Sequence, residues 1–133
     1  MITLSQRSER SMDGIHPDLI EVIKTMCQIS QDDFTIICGL RTLKEQEHLV
    51  AIGASKTMKS RHLTGHAFDW APIVSGKLSW DAKDYLRIIP VWKEAAKTAS
   101  VSIESGGDWI HFKDYPHIQL PWKLYPVVGG SHA

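Results

Sequence analysis

Ser60-Arg61-His62-Leu63-Thr64-Gly65-His66-Ala67-Phe68-Asp69-Trp70 sets an imidazole and a carboxylate seven residues apart, with a glycine between them. Both are good ligands for a metal such as zinc, which binds imidazole nitrogen and carboxylate oxygen at about 2.0–2.2 Å. For His62 and Asp69 to serve one ion, their donor atoms must meet, yet a stretch of this length spans more than about 20 Å when extended. The chain therefore folds back between them. Gly65 is the residue that tolerates the backbone angles of such a reversal. Beyond it, Ala67-Phe68-Asp69-Trp70-Ala71 reads as a short strand. A carboxylate flanked by Phe68 and Trp70 is costly to bury without a partner, and a cation is such a partner.

The pattern Ser-x-His-x-x-Gly-x-Ala-x-Asp resembles that of the zinc peptidases that cleave peptidoglycan peptides. These are the D,D-carboxypeptidases and dipeptidases and the small phage L-alanyl-D-glutamate endopeptidases, in a fold group that also includes the hedgehog signalling domain. The resemblance extends over most of the chain. It implies an α+β domain in which helices pack on a small, mainly antiparallel sheet, with zinc as cofactor and bacterial peptidoglycan as partner. Short length, the lack of an apolar signal-peptide core, and the stretches Asp33–Ile36 through Gly39-Leu40-Arg41-Thr42 and Thr64–Pro72 favour the phage endopeptidases. The implied activity is cleavage of the L-alanyl–D-glutamate bond by an endolysin. It would be made in the host cytoplasm as a monomer and reach the wall once a holin opens the membrane. The alternatives are a D,D-carboxypeptidase or dipeptidase with the same zinc site, and a zinc-containing binding module without catalysis.

A catalytic zinc commonly has three protein ligands and a water, so a third ligand is sought beyond His62 and Asp69. Lys113-Asp114-Tyr115-Pro116-His117-Ile118-Gln119-Leu120 offers one. Pro116 bars a helix interior and extends Tyr115. Asp114 and His117 can then converge from a turn, which strand alternation would forbid at this spacing. Asp-x-x-His is similar to the second signature of the same peptidases. That likeness implies His117 as third ligand and Asp114 as general base, later acid; some relatives carry Glu there. Arg41 matches the position of the family's arginine that holds a substrate carbonyl or carboxylate, and the arginine fork suits the carboxylates of peptidoglycan stems. Ser60 is expected to bond substrate or a ligand, and Trp109 to form a substrate-side wall. His66 and His111 are expected to stand outside the ligand set.

The remainder of the chain reads as one domain over residues 1–133, with 1–12 and 121–133 irregular. Its formal net charge is zero, so no basic excess points to nucleic acid or a membrane surface. Cys27 and Cys38 read as buried, reduced core residues. Helical spacing of Leu19, Ile20, Val22, Ile23, Met26 and Ile29 follows Pro17. Asp33–Cys38 reads as a buried strand. Thr42 and Glu45 match a capping box that opens a helix to about Ile52. A turn is expected over Pro72–Gly76. A helix capped by Ser79 should run to about Ser100 with a break or kink at Pro90. A weak strand over 101–104, a loop over 105–108 and a strand ending at Leu120 complete the expectation.

Overall fold

The helical spacing that follows Pro17 becomes one buried face of α2 (Pro17–Ile29), with Leu19, Val22, Ile23, Met26 and Cys27 turned inward. This is a computed structural model, and it describes residues 1–126. Before α2 lies α1 (Gln6–Ser11) and after it β1 (Asp33–Cys38). The capping box of Thr42 and Glu45 is formed and opens α3 (Leu43–Ala51). A 3₁₀ turn over Arg61–Thr64 leads into β2 (Ala67–Val74) and β3 (Lys77–Leu78). Then come α4 (Ala82–Thr98), β4 (Glu104–Ser105), a 3₁₀ turn over Gly106–Asp108, and β5 (His117–Gln119). The strands form an antiparallel sheet in the order β1-β2-β5-β4, with β3 paired to β2. The expected α+β class is what is found.

The core lies between the sheet and the helices α2 and α4. Trp92 of α4 is its centre, with ring centroids 5.0 Å from Phe34, 5.3 Å from Phe68 and 5.6 Å from Trp70. Phe68 and Trp70 thus face the helices. Successive strand residues point to opposite faces, so Asp69 between them faces the other way.

Several local expectations change. Residues 1–12 are not wholly irregular, because α1 lies along the edge strand β1. Ser8 Oγ is 2.7 Å from Thr35 Oγ1 and accepts the Ile36 N–H at 3.1 Å, and Ser11 Oγ donates to the Ile37 carbonyl at 3.2 Å. The polar character of the segment comes from its pairing with an unfilled strand edge. For the same reason β1 is buried on one face only, through Phe34 and Ile36. Strand β2 runs on through Pro72, which stands past the last residue paired with β5. The reversal is the two-residue turn Ser75-Gly76, both with positive φ, as a tight hairpin requires.

Asp81, not Ser79, caps α4. Pro90 does not split α4: it is exposed, as is Leu86 four residues earlier, so water can satisfy the carbonyl that proline leaves unbonded. The weak strand shifts to Glu104–Ser105, and the expected loop at 105–108 is a 3₁₀ turn with Gly106 and Gly107 buried. Residues 121–126 are irregular as expected; the rest of the expected irregular tail, with Gly129-Gly130, lies outside the described residues.

Ser8→Ala leaves the buried Ile36 N–H without its acceptor and should cost about 1–3 kcal/mol. Urea unfolding checks this; an unchanged midpoint would show that α1 does not hold the sheet edge.

Candidate active site

The reversal expected at Gly65 is built by its neighbours. The Ser60 hydroxyl accepts the His62 N–H at 3.2 Å and so caps the 3₁₀ turn. Gly65 closes that turn in the left-handed region at φ 75°. A side chain there would also collide with the Gly14 carbonyl. The chain then enters β2 with Asp69 on the face away from the helices.

Strand register supplies the rest. Asp69 stands opposite His117 on β5 and opposite Cys38 on β1, and directly opposed residues share a face of the sheet. The β1 pairing slips by one residue between Ile36 and Cys38. This bulge brings Cys38, in place of Ile37, beside Asp69.

Two imidazoles converge on one carboxylate oxygen. His62 Nε2 lies 3.3 Å and His117 Nδ1 3.4 Å from Asp69 Oδ1, and the two rings are 5.1 Å apart. Asp69 Oδ1 is buried and has no hydrogen-bond partner among the described residues. His62 Nδ1 is 2.8 Å from the Gly39 carbonyl, which can only accept, so Nδ1 carries the ring proton and Nε2 keeps its lone pair in the neutral form. A lone pair then faces a carboxylate oxygen, an arrangement that needs a proton or a cation between them.

In the metal-free chain a proton serves. Burial alone would lower the His62 pKa, but the negative charge of Asp69 beside it and the neighbouring Cys38 push it up to about 9. Against burial, the two histidines hold Asp69 far below the usual carboxylate range. An orphaned oxygen between two imidazole nitrogens is a donor set that fits zinc.

Cys38 is not a core residue. It is half-buried, and one donor atom from each of Cys38, His62 and Asp69 lies within 4.8 Å of the others. Burial raises its pKa, but the bond and charge of His62 and the charge of Arg41 bring it down overall. Cys27 is buried and free, as expected.

Arg41 turns into the site. Its Nη1 donates to Gln46 Oε1 at 2.7 Å, and its Nη2 lies 3.6 Å from Cys38 Sγ and 3.7 Å from Asp69 Oδ2. Asp114 sits on the turn into β5: its N–H donates to the Gly106 carbonyl at 2.9 Å and its carbonyl accepts the His117 N–H at 3.1 Å. A side chain at Gly106 would strike the Asp114 carbonyl. Burial, then the charge of Asp69, raises the Asp114 pKa despite His117, His62 and Arg41.

Arg41, Ser60, His62, Asp69, Trp109, Asp114 and His117 all line one cavity of about 500 Å³. The Trp109 ring is 5.1 Å from that of His117. His66 and His111 are not in its lining; His66 instead bonds Thr64 Oγ1 at 2.6 Å.

Sequence reasoning missed two buried polar residues here. Gln46 holds Arg41 and donates to Ser55 Oγ and the Thr57 carbonyl at 2.9 and 2.6 Å. Arg61 donates to the carbonyls of Leu120, Pro121 and Tyr125 and lies over the Trp122 ring at 4.2 Å. Both sit in polar surroundings in the sequence, where no pattern marks them as buried.

The family model described as phage L-alanyl-D-glutamate peptidase matches residues 1–121. The chain is similar to the L-alanyl-D-glutamate peptidase of Escherichia phage T5, with 32% identity over 96% of this chain and 93% of that protein. It is also similar to the peptidoglycan L-alanyl-D-glutamate endopeptidase CwlK of Bacillus subtilis, with 34% identity over 66% of this chain and 60% of that one. Among solved structures, the L-Ala D-Glu endopeptidase ChiX of Serratia marcescens superposes with a TM-score of 0.88 at 38% identity, covering 96% of this chain and 95% of that chain.

The His62–Asp69 pair gives the metal-free chain a defined pH profile. The folded His62 value of about 9 lies above the ordinary 6.5. Its stabilisation is therefore full below about pH 6.5 and lost as pH rises through about 9. Asp69 is depressed, so its stabilisation is present above about pH 4 and lost on acidification. Urea midpoints in chelator should thus be highest between about pH 4 and 6.5. In His62→Gln the alkaline decline should flatten; an unchanged decline would assign it elsewhere.

Proposed function

The chain belongs to the phage L-alanyl-D-glutamate peptidase family, and on that premise we propose that it is a zinc-dependent peptidoglycan endopeptidase cutting the L-alanyl–D-glutamate bond of the stem peptide. The observation that carries the metal reading is Asp69 Oδ1, buried without a hydrogen-bond partner between His62 Nε2 and His117 Nδ1. The names of the relatives carry the bond.

His62, Asp69 and His117 would hold the ion. Cys38 is left out of the set because its sulfur already accepts from Arg41 Nη2 at 3.6 Å, whereas His117 turns Nδ1 to Asp69 Oδ1 at 3.4 Å and engages Gln119 with its other nitrogen. When bound, zinc supplies a Lewis acid and lowers the pKa of water to about 7. Asp114, on the turn into β5 and lining the same cavity as the three ligands, would take the proton of the attacking water and return it to the leaving amine. Arg41, held by Gln46, presents a guanidinium to the oxygen on which charge develops, or to a stem carboxylate. Trp109 walls the cavity beside His117. Ser60 acts by shaping the turn that carries His62.

No helix among the described residues is long and apolar enough to cross a membrane. In the endolysin reading the protein is made in the host cytoplasm, works as a monomer, and reaches the wall through a holin lesion.

Digestion of purified sacculi, with mass spectrometry of the products, should show new N-terminal D-glutamyl residues. Release of terminal D-alanine instead would reassign the chain to the D,D-carboxypeptidases. Chelation should abolish digestion and zinc restore it. His62→Ala and His117→Ala should lose zinc by elemental analysis, and His66→Ala and His111→Ala should keep it; zinc lost from the His111 variant and kept in the His117 variant would refute the ligand set.

Asp114→Asn preserves size but cannot take up the proton. Turnover should fall by about 10²–10⁴-fold with zinc content and melting temperature nearly unchanged. Near-normal turnover at full zinc occupancy would remove Asp114 from the mechanism.

A further inference from the structure

His117 uses both ring nitrogens. Nδ1 faces Asp69 Oδ1 at 3.4 Å, and Nε2 lies 2.8 Å from Gln119 Oε1. Gln119, two residues along β5, is 8% exposed. Its own amide nitrogen donates to Glu104 Oε1 at 3.1 Å. Glu104 is exposed and is the register partner of Gln119 in the β4–β5 pair.

A glutamine amide can face a histidine either way round, as acceptor or as donor. Here the third member of the chain decides. The Glu104 carboxylate can only accept, so it draws the NH₂ group of Gln119 to itself. That aims Oε1 at His117 and obliges Nε2 of the ring to carry the proton. Nδ1 is left as the lone pair facing Asp69, which is the form a metal takes. Turned over, the amide would press its NH₂ against Nε2 and put the ring proton on Nδ1, where the ion has to sit.

We propose that Glu104 and Gln119 form a positioning relay that sets the tautomer and ring orientation of His117 for metal binding. The proposal rests on the reading of His62, Asp69 and His117 as the ligand set. His62 receives the same service from a backbone group, the Gly39 carbonyl at 2.8 Å. A peptide carbonyl cannot turn over, so it needs no further support. A side-chain amide can, and Glu104 removes that freedom. Neither member of the relay exchanges a proton with substrate; both act through His117. Partners of this kind orient a metal-bound histidine and raise its basicity.

The test is the zinc affinity of the full chain, by competition with a chromophoric chelator, with thermal unfolding on the same preparations. Gln119→Leu should bind zinc about 10–100-fold more weakly. Glu104→Gln, at an exposed position where folding is safe, should weaken binding by a smaller factor, because a glutamine there accepts either orientation of Gln119. The exchanged pair Glu104→Gln with Gln119→Glu again offers His117 an acceptor, and the carboxylate now at position 119 finds an amide donor at position 104. This pair should return to within about threefold of the starting affinity. A mere cross-strand stabilising pair would change the melting temperature and leave zinc affinity alone. Folded Gln119→Leu and Glu104→Gln chains that bind zinc as tightly as the unaltered chain overturn the relay and leave the ligand set standing. Should Gln119→Leu not fold, failure of the exchanged pair to restore what Glu104→Gln loses overturns it equally. An unaltered chain that takes up no zinc, or a His117→Ala chain that keeps it, overturns the ligand set and the relay with it.

Discussion

One carboxylate oxygen, Asp69 Oδ1, is buried between two imidazole nitrogens and, among the described residues, is hydrogen-bonded to neither backbone nor side chain. Leaving such a group uncompensated is expensive. The chain around it is arranged so that a proton or a cation must supply the compensation. His62 arrives by a tight turn that only a residue at positive φ closes, and His117 by the register of β5 against β2. Changing either delivery would strand the oxygen.

The strand that carries Asp69 is held rigid from its other face. Phe68 and Trp70 are wholly buried against Trp92 and Tyr85, and the Tyr85 hydroxyl donates to the Trp70 carbonyl at 3.3 Å. Burial, with the charges of Asp69 and Asp114, drives the Tyr85 hydroxyl well above its ordinary pKa. A site mounted on packed strands keeps its geometry better than one on loops alone. The loops that complete the cavity are tied back to this frame: Gln46 joins Arg41 to residues 55 and 57, and Arg61 binds the carbonyls of the segment after β5.

Histidine orientation follows the same logic. One ring is set by a peptide carbonyl and the other by a side-chain amide backed by a carboxylate. In their neutral forms the two imidazoles thus face Asp69 with the same kind of nitrogen, one that keeps its lone pair, although they use different ring positions.

Much of this was legible without coordinates, because it depends on local chemistry. Spacing around Gly65, the apolar neighbours of Asp69, the turn enforced by Pro116 and the capping box of Thr42 and Glu45 are short-range signals, and each acts within a few residues. The residues taken from these signals, together with those that the family resemblance implied, line one cavity. What the chain order does not carry is which strand lies beside which, and in what register. The slip at Ile36 that brings Cys38 next to Asp69, the covering of β1 by the serines of α1, and the burial of Arg61 and Gln46 all arise from contacts between residues far apart in sequence. Pairing partners are selected by packing of the whole sheet on α2 and α4, so a polar residue at such a contact looks in sequence like any other surface residue. The same limit applied to Pro90: its exposed face of α4, and therefore its harmlessness, was settled only when the helix docked.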